Sequence, residues 1–135
     1  MFNAWIAPEK PVEVNISSDF KADLSSQLLE IAVLEGNRIR VAIKVPKDQP
    51  FIRQDDVALS FKLQPGGELI QVQGVVQSVK KIRGKERKRM EVDGTAGMND
   101  EISILAFIAA REDQIMEALD KTFQKLRKGK NRKKH

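Results

Sequence analysis

The sequence contains no cysteine and no tyrosine, and its single histidine, His135, is the last residue. Without cysteine there is no disulfide framework, thiolate metal site or cysteine nucleophile. A lone terminal imidazole leaves little material for acid–base chemistry or for a multi-histidine metal site. We therefore expect a protein that is not an enzyme and that has no metal or cofactor.

Long apolar runs are also missing. No run approaches the roughly 20 residues that a membrane-spanning helix needs. Residues 1–10 lack the basic start and the apolar stretch of a secretory signal, although they include Phe2, Trp5 and Ile6, which indicate a docking surface. We expect one domain, without a membrane span, in the cytoplasm.

The net charge of +5 is unevenly distributed. Residues 80–90 hold seven of the 24 basic residues and a single acid, and residues 121–135 hold eight basic residues and no acid. Such segments can attract phosphates or an acidic partner, or can simply keep the surface soluble. The predicted basic patch comprises Lys80, Lys81, Arg83, Arg87, Lys88 and Arg89.

Apolar residues between 11 and 108 recur mostly at every second position, which is the period of a β-strand. The runs lie at 12–16, 29–33, 39–45, 57–63, 69–79 and 101–108. Turn residues at 64–67 indicate a hairpin between the fourth and fifth runs. Residues 80–90 are interpreted as a loop, and residues 93–97 as a turn before the last strand.

The period changes at residues 111–128, where apolar side chains recur at three- and four-residue spacing. Acidic residues begin this segment and basic residues end it, as the helix dipole favours, so we predict a helix that stops before Gly129. Its apolar residues are Ile115, Met116, Leu119, Phe123 and Leu126. They cover the β body, or else pack on a partner helix in a dimer.

These elements predict a mainly β domain, an antiparallel barrel or sandwich with one terminal helix. The expected organisation is an N-terminal extension at 1–10, the barrel and helix at 11–128, and a disordered basic tail at 129–135. Asp55 and Asp56 are an adjacent carboxylate pair, interpreted as a turn rather than a metal site.

The order of the elements resembles the PilZ family. The likeness is carried by residues 36–41, the segment 56–63, the sequence Val-Gln-Gly-Val-Val at 72–76, and the ending through Phe107 and Ile108 into a basic helix. It implies a six-stranded antiparallel barrel with a C-terminal helix. It further implies bacterial signalling through cyclic di-GMP, in the control of motility or surface behaviour.

The two ligand motifs of that family are incomplete in this chain. The R-x-x-x-R motif is missing, because no arginine precedes Arg38. The D/N-x-S-x-x-G motif falls on residues 32–37 or on residues 15–20, and neither placement keeps all of its residues. Arginine forks matter here because they bind phosphate and guanine edges through two parallel hydrogen bonds.

The resemblance therefore implies a signalling adaptor that acts through a protein partner, with direct binding of cyclic di-GMP left open. If that ligand binds, the candidate residues are Asn37, Arg38, Arg40 and Arg53. The alternative is a small basic β-barrel that binds nucleic acid through residues 80–90 and the tail, although such barrels usually add aromatic residues for base stacking. The oligomeric state is left open.

Overall fold

The computed structural model describes residues 5–18, 21–64, 66–84 and 86–133. Phe2, Phe20, Pro65 and His135, which enter the sequence predictions, lie outside these ranges. In chain order the elements are β1 (Glu13–Ser18), β2 (Lys21–Glu35), β3 (Arg38–Pro46), β4 (Asp56–Phe61), β5 (Ile70–Lys81), β6 (Arg87–Ala96) and α1 (Met98–Lys133).

The strands form a closed antiparallel barrel in the order β1-β2-β3-β6-β5-β4. Closure comes from β1, which pairs with β2 along one edge and with β4 along the other. The predicted six-stranded antiparallel barrel with a C-terminal helix is confirmed. The predicted hairpin is present as well, with Phe61 of β4 opposite Ile70 of β5.

The barrel interior is filled by alternate residues of every strand. Each strand contributes large aliphatic or aromatic side chains that are almost fully buried, among them Val14, Ile16, Ile31, Val41, Ile43, Leu59, Phe61, Val72, Met90 and Val92. Ile104 of α1 joins the same core at 1% exposure. The start of the helix therefore packs into the β body as one more core element.

The prediction of the sixth strand at residues 101–108 is wrong. Residues 101–108 are helical, and the last strand is β6 at Arg87–Ala96. The apolar run at 101–108 resembles a buried strand because it is nearly continuous. In the structure its buried members, Ile104 and Phe107, are three residues apart, and Ile102 is 70% exposed. That spacing is the helical period.

The predicted loop at 80–90 is present only as a short turn between β5 and β6, and the predicted turn at 93–97 is wrong, because residues 93–96 belong to β6. Outside a short turn around Gly84, whose φ is +75°, residues 70–96 form the β5–β6 hairpin. Met90 and Val92 point into the core between charged neighbours, which is the alternation of a strand. The charge of the segment concealed this pattern.

Helix α1 begins at Met98 instead of residue 111, and it continues through Lys133 instead of ending before Gly129. Of the predicted disordered tail, residues 130–133 thus continue the helix beyond Gly129, and residues 134–135 lie outside the described ranges. Asp100 and Glu101 occupy the first turn, where their charges favour the helix dipole. The backbone N–H of Glu101 donates to the carbonyl of Gly97 at 3.0 Å.

The predicted cover of the barrel by the apolar residues of the helix is wrong. Residues 112–127 are all exposed, including the five apolar side chains from Ile115 to Leu126. Residues 104, 107 and 108 pack on the barrel instead. The distal part of α1 therefore extends past the barrel.

Two glycines allow β5 and β6 to approach each other closely. Gly74 and Gly94 are directly opposite in the register. A Cβ added to Gly94 would lie 2.6 Å from the carbonyl oxygen of Gln73 and 2.6 Å from a methyl of Val72. Backbone atoms cannot yield as a flexible side chain can, so the absence of a side chain is required here.

We predict that Gly94→Ala lowers the free energy of unfolding by about 1–3 kcal/mol, because the added methyl overpacks the β5–β6 contact. The control is Thr95→Ala, at the exposed neighbouring residue of the same strand. Urea unfolding followed by circular dichroism measures both. A Gly94→Ala variant as stable as Thr95→Ala would contradict the close approach.

Candidate functional site

The four candidate ligand residues lie in two places. Asn37 is in the β2–β3 turn, Arg38 and Arg40 are on β3, and Arg53 is in the turn before β4. In the barrel order, β6 and β5 lie between β3 and β4. The structure therefore groups three of the residues on one strand and its turn, and places the fourth beyond the intervening β5–β6 hairpin.

Arg40 is already engaged within the fold. Its guanidinium forms a bidentate ion pair with Asp93 on the neighbouring strand, with Nη2 donating to Oδ2 at 2.8 Å and Nε donating to Oδ1. This hydrogen bonding raises the pKa of Arg40, against the smaller opposing effect of partial burial. A ligand phosphate would have to compete with a carboxylate that already occupies the fork.

Asn37 holds the β2–β3 turn against the end of β6. Its Nδ2 donates to the carbonyl oxygen of Ala96 at 3.0 Å, and its own carbonyl accepts the N–H of Ala96 at 2.9 Å. Asn37 and Ala96 line a small crevice together with Ile104 and Leu105 of α1. The amide of Asn37 thus serves the junction between the barrel and the helix.

Arg38 and Arg53 have exposed side chains. Arg53 stands next to Gln54, whose φ is +78° and whose N–H donates to the carbonyl of Val76 at 2.8 Å. Asp55 completes this turn by accepting the N–H of Ile52 at 2.9 Å. The interpretation of Asp55 and Asp56 as a turn pair agrees with this geometry.

The predicted basic patch lies on the β5–β6 hairpin. Lys80 is opposite Arg89, and Lys81 is opposite Lys88. The exposed members are Lys80, Lys81, Arg83 and Arg87, while Lys88 and Arg89 are half-buried. Lys44 of β3 is also opposite Arg89, so three cations share one register row.

Arg89 differs from the other cations because acids and an aromatic ring surround it. Its Nη2 lies 2.7 Å from Glu30 Oε2, its Nε lies 3.1 Å from Glu91 Oε2, and its guanidinium carbon lies 4.9 Å from the centre of the Trp5 ring. Burial lowers the pKa of Arg89, but the hydrogen bonds to the two glutamates outweigh it and the pKa is raised. Arg89 therefore joins β2, β6 and the N-terminal segment.

The N-terminal segment is also held by its backbone. Ile6 and Ile31 exchange two backbone hydrogen bonds of 2.9 Å, which add the segment to the edge of β2. Arg111 of α1 donates from Nε to the carbonyl of Ala7 at 2.9 Å. Trp5 and Ile6 thus dock on the barrel of their own chain, a point that the sequence left open.

A groove of about 530 Å³ lies beside this contact, between the segment after Ala7, the end of β4 and α1. Its apolar floor and its charged rim come from distant parts of the chain, namely Val12, Phe61, Leu63, Phe107, Lys10 and Arg111. Sequence analysis missed this groove because no local pattern reports that the N-terminal segment and the helix meet. Among the described side chains, no group of three acids or histidines is placed to hold a metal ion.

The barrel has a solved structural neighbour. The chain is similar to the structure of the Bacillus subtilis inhibitor of motility, MotI/DgrA, with a TM-score of 0.67 and 13% sequence identity over 83% of this chain. The match spans about half of the neighbour, 52% of its length. No protein-family model matches the chain, and no curated protein sequence matches it.

The likeness defines a fold class, a PilZ-like barrel with a C-terminal helix. The solved neighbour with this fold, MotI/DgrA, is an inhibitor of motility. In the present chain, none of the helices that the structure describes is long and apolar enough to cross a membrane.

We predict that Arg89→Ala lowers the free energy of unfolding by about 1–2 kcal/mol, because it removes two charge-assisted hydrogen bonds and a cation–π contact. The emission of Trp5, the single tryptophan, should shift to longer wavelength as its ring becomes more exposed to water. Arg87→Ala, at an exposed position of the same strand, is the control. An unchanged emission in Arg89→Ala would refute the contact.

Proposed function

We propose that this protein is a non-enzymatic regulator of bacterial motility that acts by contact with a protein partner. The observation that carries the proposal is the likeness of its barrel and helix to the inhibitor of motility at a TM-score of 0.67. The groove between the N-terminal segment and α1 supports action by contact, since the apolar side chains Phe61, Leu63 and Phe107 line it and apolar surface of this kind marks interaction sites.

We further propose that the protein does not depend on direct binding of cyclic di-GMP. Two of the four candidate residues, Asn37 and Arg40, are already hydrogen-bonded within the barrel. Arg38 and Arg53 remain exposed, but Arg38 begins β3 and Arg53 lies in the turn before β4, and β5 and β6 lie between those two strands in the barrel. Tight recognition of two phosphates and two guanines would need several arginine forks converging on one site.

A titration with cyclic di-GMP tests this point. Backbone amide NMR shifts around Arg38, Arg40 and Arg53 should not saturate at physiological salt. GMP is the control ligand, since non-specific attraction to the cations would give similar shifts with both ligands and would fade as salt is raised. Saturable shifts that are specific to cyclic di-GMP and persist in salt would overturn the proposal.

A swimming assay tests the role in motility. In a flagellated bacterium that encodes the chain, overproduction should shrink the swimming zone in soft agar, and deletion should enlarge it. Expression of the wild-type chain in the deletion strain is the control and should restore the original zone. Identical zones in the deletion, overproduction and parent strains, at equal growth rates, would contradict the proposal.

A nucleic-acid-binding role is the second candidate, because Lys44, Lys80 and Arg89 share one register row beside the exposed cations of the hairpin. Two observations weigh against it. Arg89 is committed to Glu30 and Glu91, and the ring of Trp5 already lies against Arg89, where a base would otherwise stack. In this role, affinity for a single-stranded oligonucleotide would fall steeply with salt.

A further inference from the structure

A row of apolar side chains runs along α1. At its start Leu105 also lines the crevice at the barrel, and from Met116 onward the row lies beyond the barrel. Positions in this row are separated alternately by three and four residues, which is the repeat of a coiled coil. We call this set the heptad row; its large members are Ile102, Leu105, Met116, Leu119, Phe123 and Leu126. All six are exposed, from 47% at Leu105 and Leu119 to 70% at Ile102.

The distal helix needs a packing partner to be stable. Helices in proteins gain most of their stability from packing an apolar face, and less from intrinsic helix propensity. Within residues 112–127 every side chain is exposed, and no strand or loop of the described chain covers this part of the helix. The barrel therefore leaves the part of the heptad row from Met116 to Leu126 for a surface outside this copy of the chain.

The charges of the same segment are separated by sign. Glu112, Asp113, Glu117 and Asp120 all precede Lys121, Lys125 and Arg127. Two such helices side by side and parallel would place acids beside acids and bases beside bases. Two helices running in opposite directions would place the acidic half of each beside the basic half of the other.

We propose that the part of the heptad row from Met116 to Leu126 docks against the same part of the heptad row in a second copy of this chain, in an antiparallel pair of helices. With the centre of the pair near Lys121, Leu119 packs against Phe123 of the second copy and Met116 packs against Leu126. The same register brings Asp113 beside Arg127 of the second copy.

This arrangement closes on itself, since each copy offers the other the same surface through a two-fold axis. The pair would leave the two barrels at opposite ends of the paired helices. Each barrel would keep its own contact with Ile104 and Phe107, which belong to a different side of α1. The inference does not depend on the proposed role in motility, because it uses only the helix.

Sedimentation equilibrium of the full chain tests the proposal, with a dimer of twice the 15.2 kDa monomer as the expected species. Leu119→Asp should weaken the dimer by about 100-fold or more, because it places a carboxylate in the apolar seam. Gln124→Asp introduces the same charge on the same helix outside the heptad row and should leave the dimer intact. Circular dichroism confirms that each variant is folded.

Charge reversal tests the direction of the pair. Asp113→Arg and Arg127→Asp should each weaken the dimer by about threefold to tenfold, and the double variant should restore it, because each contact is then reversed on both sides. In a parallel pair the single reversals would replace one pair of like charges by another and leave affinity unchanged.

Three outcomes would overturn the proposal. The first is that the chain stays monomeric up to its solubility limit. The heptad row would then be a surface for a different protein. The second is a dimer that Leu119→Asp does not weaken, which would place the interface on the barrel. The third is a double reversal that is weaker than both single variants, which would exclude the antiparallel order.

Discussion

The pairing of β1 with β4 is the contact on which the remaining structure depends. Val14 opposite Phe61 and Ile16 opposite Leu59 join the two ends of the sheet, and all four side chains are buried in the same interior. Without this closure, β1 and β4 would be open edges with unpaired backbone groups. The part of the barrel core against which Ile104 packs would also be lost, so the start of α1 would lose its packing surface.

The period of the apolar residues accounts for how much of the fold could be predicted. Five of the predicted strands overlap β1 to β5, because inward apolar residues alternate with outward residues over most of each predicted run. The prediction failed at 87–96, where Arg89 and Glu91 frame the inward Met90 and make a strand look like a charged loop. It failed again at 101–108, where two sides of one helix are apolar and the period is hidden.

The candidate site could be predicted only in part, because its decisive contacts join residues far apart in sequence. Arg40 and Asp93 are 53 residues apart and meet only because β3 and β6 are neighbours in that register. Glu30 and Arg89 likewise come from β2 and β6. No local pattern identifies such partners, so free arginine forks and engaged ones look the same in sequence. The exposed part of the helix, in contrast, is visible in sequence once its length is known.

The hydrogen bond from Arg111 to Ala7 marks the point where α1 leaves the barrel. The 22 residues beyond it, through Lys133, form a lever about 33 Å long at 1.5 Å per residue. A tilt of about 5° at that fulcrum would displace the far end by roughly 3 Å, the width of a hydrogen-bonded contact. The N-terminal segment contacts α1 at this fulcrum, through Ala7, and its Trp5 ring lies against Arg89. A displacement of the N-terminal segment would therefore act on α1 at Arg111.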